Sequence, residues 1–587
     1  MSYNDLFHEA LTCFDNEDFD KAEVLTRQIA ETAPNNPDIL NLLGLIAQAK
    51  GIHEEACSYF SAAIRESKDN PSYFFNLAFS LKAIKQFSDA LTNFFQVLKL
   101  APSVKEAHNE IACIYEELND IKQARQHWQF AIQMDSDYVI AKINLANSFR
   151  IDDINKAEKD LLTISEENPN FPLLWYDLAW LKYNQNDFST ALFFANKSAE
   201  LAPNSDTIKY LQGLCFLSLN QEEQAKLYFT DAISINADNF DARLCLADIL
   251  SRNNNFLDAE IHYKRLIELD NKNFATHSNY AEMLHRQNRL VEALEEYRKA
   301  IIICPKSADI SNNLGGILKQ LEDYDEALGL FFNALSLKPD LVAASINIWE
   351  TLVLINNQDK EKALKIAHNW KKTHPNNLFA SYAVSALEGE NIVNNQIFTE
   401  QLFDNFADNY EVVMKNLDYS APLAIRRIAG TLENRIVDLG CGSGFVGMAI
   451  KTTSNHLIGV DLSAKMLAKA AEKNIYSELV KADIIDFLNT RSDFDWIIAS
   501  DVFCYIGDLE KLFSLCSSKN IIFTIETTDQ IDKYQIQSTG RFKHNHIYIE
   551  NLLQKNGFCD IYKEHLVLRK ENNIPIDGYI FKALGKK

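Results

Sequence analysis

Arg435-Ile-Val-Asp-Leu-Gly-Cys-Gly-Ser-Gly444 is an apolar β-type run that opens into a glycine-rich turn, and Phe445 to Ile450 then begin a helix. Glycines suit such a turn because the backbone must adopt positive φ and approach a ligand with no Cβ in the way. Downstream, Leu457-Ile-Gly-Val-Asp461 reads as a second strand ending in an acid, placed to accept hydrogen bonds from a ribose diol. A third strand, Glu478-Leu-Val-Lys-Ala-Asp483, ends in another acid. Gly442-Ser-Gly-Phe-Val-Gly447 also fits the dinucleotide fingerprint, so the turn alone leaves the ligand open.

Farther along, Phe494-Asp-Trp-Ile-Ile-Ala-Ser-Asp501 and Asn520-Ile-Ile-Phe-Thr-Ile525 read as further strands, and Ile549 to Asn556 as a helix. Phe558 to Arg569 and Ile574 to Leu584 then form a pair of strands joined by a turn around Glu571-Asn-Asn573. A mostly parallel sheet closed by an antiparallel hairpin is expected. Upstream, Phe403 to Tyr410 and on through Leu417-Asp-Tyr419-Ser-Ala-Pro422 is helical by its apolar spacing.

The rest of the chain is periodic. At a spacing of 34 residues, Ala22, Ala56, Ala90 and Ala124 share one column, and Leu43-Gly44, Leu77-Ala78 and Ile111-Ala112 another. After a one-residue deletion near Asp152 and Asp153 the first column continues as Ala191, Ala225, Ala259, Ala293 and Ala327. Aromatics recur four positions beyond the small residue, as at Phe60, Phe94, Trp128 and Phe229, and prolines such as Pro34, Pro102 and Pro203 close units. A small residue lets two helices approach, an aromatic fills the gap, and proline ends the second helix. Each unit is a helical hairpin that buries its face only by stacking on neighbours. The pattern resembles the tetratricopeptide repeat over about eleven units, residues 1–376; residues 377–398 read as a capping helix and linker, broken at Glu388 to Thr399 by Glu-Gly-Glu-Asn-Ile-Val-Asn-Asn-Gln.

The order of the motifs in residues 399–587 decides between ligands. Asp438-Leu-Gly440-Cys-Gly442-Ser-Gly444, Gly459-Val-Asp461-Leu-Ser, Ala482-Asp483 and the strand ending at Asp501 look like successive motifs of class I S-adenosylmethionine-dependent methyltransferases. With the repeats, the chain resembles the predicted bacterial methyltransferases that contain tetratricopeptide repeats. That resemblance implies an all-α superhelical solenoid followed by an α/β domain with a Rossmann-like seven-stranded sheet. It also implies the cofactor S-adenosyl-L-methionine: its methionine end near Asp438, Gly440, Cys441, Gly442 and Gly444, its ribose at Asp461 with Leu462 and Met466, its adenine at Asp483 and Ile484, and Ser500 nearby. Small members of the class use N-terminal aromatics to cover the cofactor, which makes Tyr410 and Tyr419 candidates for cofactor or substrate contact.

Methyl transfer from a sulfonium is a direct displacement that asks for alignment and at most one proton acceptor. Asp501, Tyr505 and His544 are the candidate catalytic groups, and Arg541 and His546 could contact the substrate. Position six of the first helix of a repeat is Asn at Asn76, Asn144, Asn279, Asn313 and Asn347, a ladder that could pair with the backbone of an extended peptide. A similar ladder lines the arm of O-linked N-acetylglucosamine transferases.

Bulk properties restrict the partners. Of 58 Lys and Arg and 81 Asp and Glu in 587 residues, 22 and 25 lie from residue 396 onward, which leaves 36 and 56 before it, a net −20. That acidity argues against nucleic acid and favours basic or neutral partners. Ten scattered cysteines show neither metal-ligand spacing nor a disulfide framework, and no apolar run is long enough for a membrane helix, which suggests a cytoplasmic chain with no metal. The expected activity is methylation of a protein or peptide captured by the arm. The alternatives are a small-molecule acceptor with the arm as scaffold or oligomerisation element, and an inactive interaction scaffold.

Overall fold

A computed structural model describes residues 3–390, 396–430, 432, 435–450, 456–571 and 574–586. Residues 391–395 of the expected linker, and Asn572 and Asn573 of the expected turn, lie outside the described residues. The chain forms two compact units, Met1–Leu269 and Asp270–Lys587.

The first unit consists of helical hairpins, with Pro71–Ala83 paired to Phe87–Leu100 and Asp206–Ser218 to Glu222–Ile235 as typical members. Ala90 and Ala225 are fully buried, as are the Phe94 and Phe229 rings. A methyl group placed on Gly213 would lie 2.5 Å from the Phe229 ring, so the small column and the aromatic column meet where the two helices touch. The first helix of many hairpins ends on a left-handed residue, and Asn119, Asn186, Asn220 and Asn254 fill that place with φ of 58–62°. Asparagine tolerates this conformation better than most residues. The one-residue deletion shortens a first helix to Val139–Asn147, and Asp153 caps the next helix, Ile154–Glu167. Arg125 bridges the altered loop, pairing with Asp152 at 2.8 Å and donating to the Ser148 carbonyl at 2.6 Å.

In the second unit three more hairpins precede the helix Leu378–Glu388, which Gly389 terminates with φ 74°. The expected single helical stretch upstream of the sheet is three helices, Gln396–Phe406, Tyr410–Asn416 and Ala421–Ala429. The strands are β1 (Arg435–Leu439), β2 (His456–Asp461), β3 (Glu478–Lys481), β4 (Trp496–Ala499), β5 (Asn520–Glu526), β6 (Tyr534–Ile536), β7 (Phe542–His544), β8 (Cys559–Glu571) and β9 (Ile574–Leu584). Seven of them form one sheet in the order β3-β2-β1-β4-β5-β9-β8. The first five are parallel, and β9 runs antiparallel to both β5 and β8. Chain order reverses between β1 and β4, and at such a switch point the carboxyl ends of the strands leave a crevice. The remaining pair, β6 and β7, makes a separate ribbon with Gly540 between its strands.

All ten cysteines are unpaired. Among the described residues no helix is long and apolar enough to cross a membrane.

Replacing the fully buried Phe229 by alanine is expected to cost about 3–5 kcal/mol of stability in urea unfolding, because a large ring leaves a cavity between two fixed helices. Leu227→Ala, on an exposed neighbour, is expected to stay within about 0.5 kcal/mol; equal losses would remove the special role given to the aromatic column.

Candidate functional site

A cavity lies at the carboxyl ends of β1, β2 and β4, the place where open α/β sheets leave room for a ligand. Its floor is the glycine turn, where Gly440 and Gly442 present bare backbone. Both have positive φ, 65° and 52°, and a Cβ on Gly440 would strike Val502 on the facing wall. One side carries Asp461 and Leu462 after β2, with Asp483 and Ile484 after β3. The other carries Ser500 and Asp501 after β4, followed by Tyr505 and Ile506.

Asp461 ties the turn to β2: its carboxylate accepts hydrogen bonds from the backbone N–H of Gly442 at 2.8 Å and of Ser463 at 2.9 Å. Burial raises its pKa against the pull of those donors. Asp438, at the end of β1, lies beneath the turn and accepts from the Tyr476 hydroxyl at 2.7 Å. Asp483 caps the helix Ile484–Thr490 through the N–H groups of Ile485 and Asp486.

The cover comes from the helices before β1. Thr399, Phe403 and Tyr410 line the cavity, and the Phe403 ring meets Tyr505 edge-on with centroids 5.3 Å apart. Asp404 on the same helix accepts from the Ser463 hydroxyl at 2.5 Å, and Glu400 pairs with Lys481 at 2.6 Å, which fastens the cover to the ends of β2 and β3. The opposite side of this helix holds Phe398, stacked on Tyr382 at 3.8 Å between centroids and packed against Phe379 and Trp349.

Residues 436–518 match the family model described as a methyltransferase domain, and residues 9–71, 207–239, 281–321 and 311–341 match tetratricopeptide repeat models. This is a tetratricopeptide-repeat chain with a class I methyltransferase domain. The chain is similar to an uncharacterized methyltransferase of Bacillus pumilus, 25% identical over 21% of this chain and 60% of that one. It is also similar to an 18S rRNA (guanine-N(7))-methyltransferase of Arabidopsis thaliana, 39% identical over 10% of this chain and 20% of the relative. In the repeats it resembles an inactive repeat-containing thioredoxin of Arabidopsis thaliana, 30% identical over 18% of this chain and 15% of that protein. The chain thus spans less than two thirds of each of these relatives.

Of the residues singled out in sequence, the methyltransferase domain brings Gly440, Gly442, Asp461, Leu462, Asp483, Ile484, Ser500, Asp501, Tyr505 and Tyr410 to one cavity. Asp438, Cys441 and Met466 are buried beside it, and Gly444 continues the turn against Tyr476 and Ile475. Tyr419 touches the wall indirectly, its hydroxyl 2.7 Å from that of Ser500. The lining contributed by Thr399, Phe403, Val502 and Ile506 was not foreseen.

The basic and imidazole candidates sit elsewhere than expected. His544 is fully buried on β7, its Nε2 donating to the Gly507 carbonyl at 3.0 Å, and burial pushes its pKa down to about 4. It does not line the cavity, because the short ribbon turns its ring into the core. His546 begins the next helix and packs on Tyr579 at 4.5 Å, its Nε2 3.5 Å from Asp529. Arg541 is not available to an acidic substrate group, since it pairs with Glu526 at 2.9 Å and with Glu571. The same carboxylates hold Arg569, which also reaches Asp501 at 2.5 Å.

The asparagine ladder is partly spent between repeats. Asn76 donates to Asn41 at 2.9 Å, Asn144 to Asn109 at 3.0 Å and Asn347 to Asn312 at 3.0 Å, each joining one repeat to the one before. Asn279 and Asn313 hold the same column on the helices Phe274–Arg286 and Ala308–Gln320, and Asn313 accepts from Asn312 at 3.4 Å.

Burial raises Asp438 to about 7, well above its ordinary value, although the Tyr476 hydroxyl opposes the rise. A carboxyl raised in the folded state stabilises fully below its unfolded pKa, and that contribution fades as pH climbs through the folded value. Thermal unfolding of the ligand-free chain between about pH 4 and about pH 8 is therefore expected to show wild type losing stability relative to Asp438→Asn as pH rises. A difference independent of pH would place the raised carboxyl elsewhere.

Proposed function

We propose that the chain is a cytoplasmic S-adenosyl-L-methionine-dependent methyltransferase that acts on a protein or peptide captured by its repeats. The supporting observation is a cavity at the switch point of the sheet, floored by the bare backbone of Gly440 and Gly442 and lined, among the described residues, by three carboxylates and no lysine or arginine. Such a lining suits an adenosyl sulfonium, whose ribose offers hydroxyl donors and whose sulfur carries a positive charge.

On this reading Asp461 holds the ribose, Asp483 and Ile484 the adenine, and the turn from Asp438 to Gly442 the amino-acid end. Bound there, the cofactor supplies an electrophilic methyl group. The chain contributes alignment and dryness: Thr399, Phe403 and Tyr410 close the cavity from above, and Asp501 and Tyr505 stand at the wall farthest from Asp461 along the lining strands. Excluding water strengthens each electrostatic contact inside and protects the methyl group from hydrolysis.

Capture of a protein by the repeats is supported by the kinship of the N-terminal region with tetratricopeptide repeats and by its acidity. The asparagine pairs between repeats favour a second reading, in which the ladder rigidifies the arm and the acceptor is a small metabolite. Methyl-labelled cofactor added to a cell lysate separates them, since label confined to small molecules rejects the polypeptide acceptor.

The cofactor assignment has its own check. A ligand that binds only the folded chain stabilises it by about 2.7 kcal/mol at about 100 times its Kd, so S-adenosylmethionine is expected to raise the wild-type melting temperature by several degrees. Asp461→Ala is expected to abolish that rise, and undiminished stabilisation would show that the ribose sits elsewhere.

A further inference from the structure

The acceptor side of the cavity has a definite electrostatic character. Asp501 is the carboxylate left there once Asp461 and Asp483 are assigned to the cofactor, and three aromatic rings, Phe403, Tyr410 and Tyr505, line the cavity with it. Tyr410 and Tyr505 are enclosed by burial, and Asp501 and Asp461 both lie near enough to Tyr410 to repel its ionised form. The two guanidiniums closest to this wall are already spoken for. Arg569 is ringed by Asp501, Glu526 and Glu571, and Arg541 by Glu526 and Glu571.

Three carboxylates against two guanidiniums leave one negative charge in excess, and Asp501 is the carboxylate of the cluster that lines the cavity. A buried uncompensated charge is costly unless a ligand brings the opposite charge. An acidic acceptor would add a second negative charge to a lining that, among the described residues, holds no lysine or arginine. A neutral acceptor would leave the excess in place. A primary ammonium would compensate it, and the three aromatic rings that line the cavity favour a cation over an anion beside them.

We propose that the methyl acceptor is a primary amine, of the kind carried by a lysine side chain, recognised as the ammonium by Asp501 and the three rings. This deepens the methyltransferase reading and rests on it, the co-reactant being a sulfonium methyl donor. The ammonium first yields a proton to the Asp501 carboxylate. The nitrogen lone pair then forms the bond to the methyl carbon as the carbon–sulfur bond breaks, with its electron pair left on sulfur. A thioether and a positively charged methylammonium result, so charge is conserved. The acidic repeats would favour the same kind of substrate, a basic protein segment.

The test uses the full chain saturated with S-adenosylhomocysteine, whose own binding is followed by calorimetry. Three blocked amino acids, the N-acetyl amides of lysine, norleucine and glutamate, are titrated by saturation-transfer NMR. The lysine derivative is expected to bind about ten-fold more tightly than either of the others, and Tyr410→Leu is expected to reduce that preference several-fold. Asp501→Asn is expected to erase the preference while leaving S-adenosylhomocysteine affinity within about two-fold; should this variant not fold, the comparison on wild type and Tyr410→Leu stands alone. Equal binding of the three compounds, preference for glutamate, or no binding of the lysine derivative would each overturn the amine assignment while the cofactor reading survives. Failure of S-adenosylhomocysteine to bind wild type would instead overturn the cofactor reading and, with it, this inference.

Discussion

The stack of Phe398 on Tyr382 is the contact on which the catalytic end of the molecule depends. The rings lie 3.8 Å apart and 12° from parallel, with Trp349 set against both at 78° and 66°. Aromatic pairs of this kind contribute about 0.5–1.5 kcal/mol each beyond the area they bury. Their position matters more than their sum. Thr399 directly follows Phe398 in the helix, and Phe403 lies about one turn on, so the rings that anchor the helix also fix the two side chains that close the cavity. Tyr382 fulfils a second duty, donating its hydroxyl to the Gly540 carbonyl at 2.7 Å. Gly540, with φ 75°, is packed so tightly that a methyl group there would come within 2.5 Å of Trp349 and 2.6 Å of Tyr382. The last helices of the repeats therefore position both the cover of the cavity and the ribbon beside it.

From Gly540 the constraint passes to charge. Its neighbour Arg541 is drawn into the core by Glu526 and Glu571, which in turn hold Arg569 against Asp501. Asp501 has a left-handed backbone, φ 55°, a conformation that a residue with a Cβ resists by about 1–3 kcal/mol. Two further bonds hold it there, its N–H donating to the Thr524 hydroxyl at 2.9 Å and that hydroxyl lying 3.4 Å from its carboxylate. Strain at one residue is thus balanced by a buried network, and the residue it holds also lines the cavity.

What could be read in the sequence was what chemistry imposes locally. A bare-backbone turn demands glycine, and parallel strands that end in acids bring those acids to one edge of the sheet, so the gathering of Gly440, Gly442, Asp461 and Asp483 at one cavity was legible from residue type and order. Phe403, Thr399, Val502 and Ile506 were not, because they reach the cavity through tertiary packing and nothing about an isolated Phe or Val announces it. The strands β6 and β7 have three residues each, too few for alternation to show, and so the burial of His544 between them was hidden. Asparagine is ambiguous for a different reason. The same side chain closes helices at Asn186 and Asn220 and joins repeats at Asn76 and Asn144, so its abundance reports backbone geometry as well as any binding surface.

The two regions also differ in how they absorb change. A repeat contacts chiefly its neighbours, so the missing residue near Asp152 is repaired on the spot by a shortened helix and the reach of Arg125. The cavity has no such freedom, because its lining is drawn from the ends of three strands, the turn after β1 and two helices that precede the sheet. A shift of one residue in any of these would carry a carboxylate or a ring out of the lining, since neighbouring residues are about 3.8 Å apart along the chain. Each element is fixed by contacts outside the cavity, and this is what Phe398, Arg569 and Tyr476 provide for the cover, the wall at Asp501 and the floor respectively.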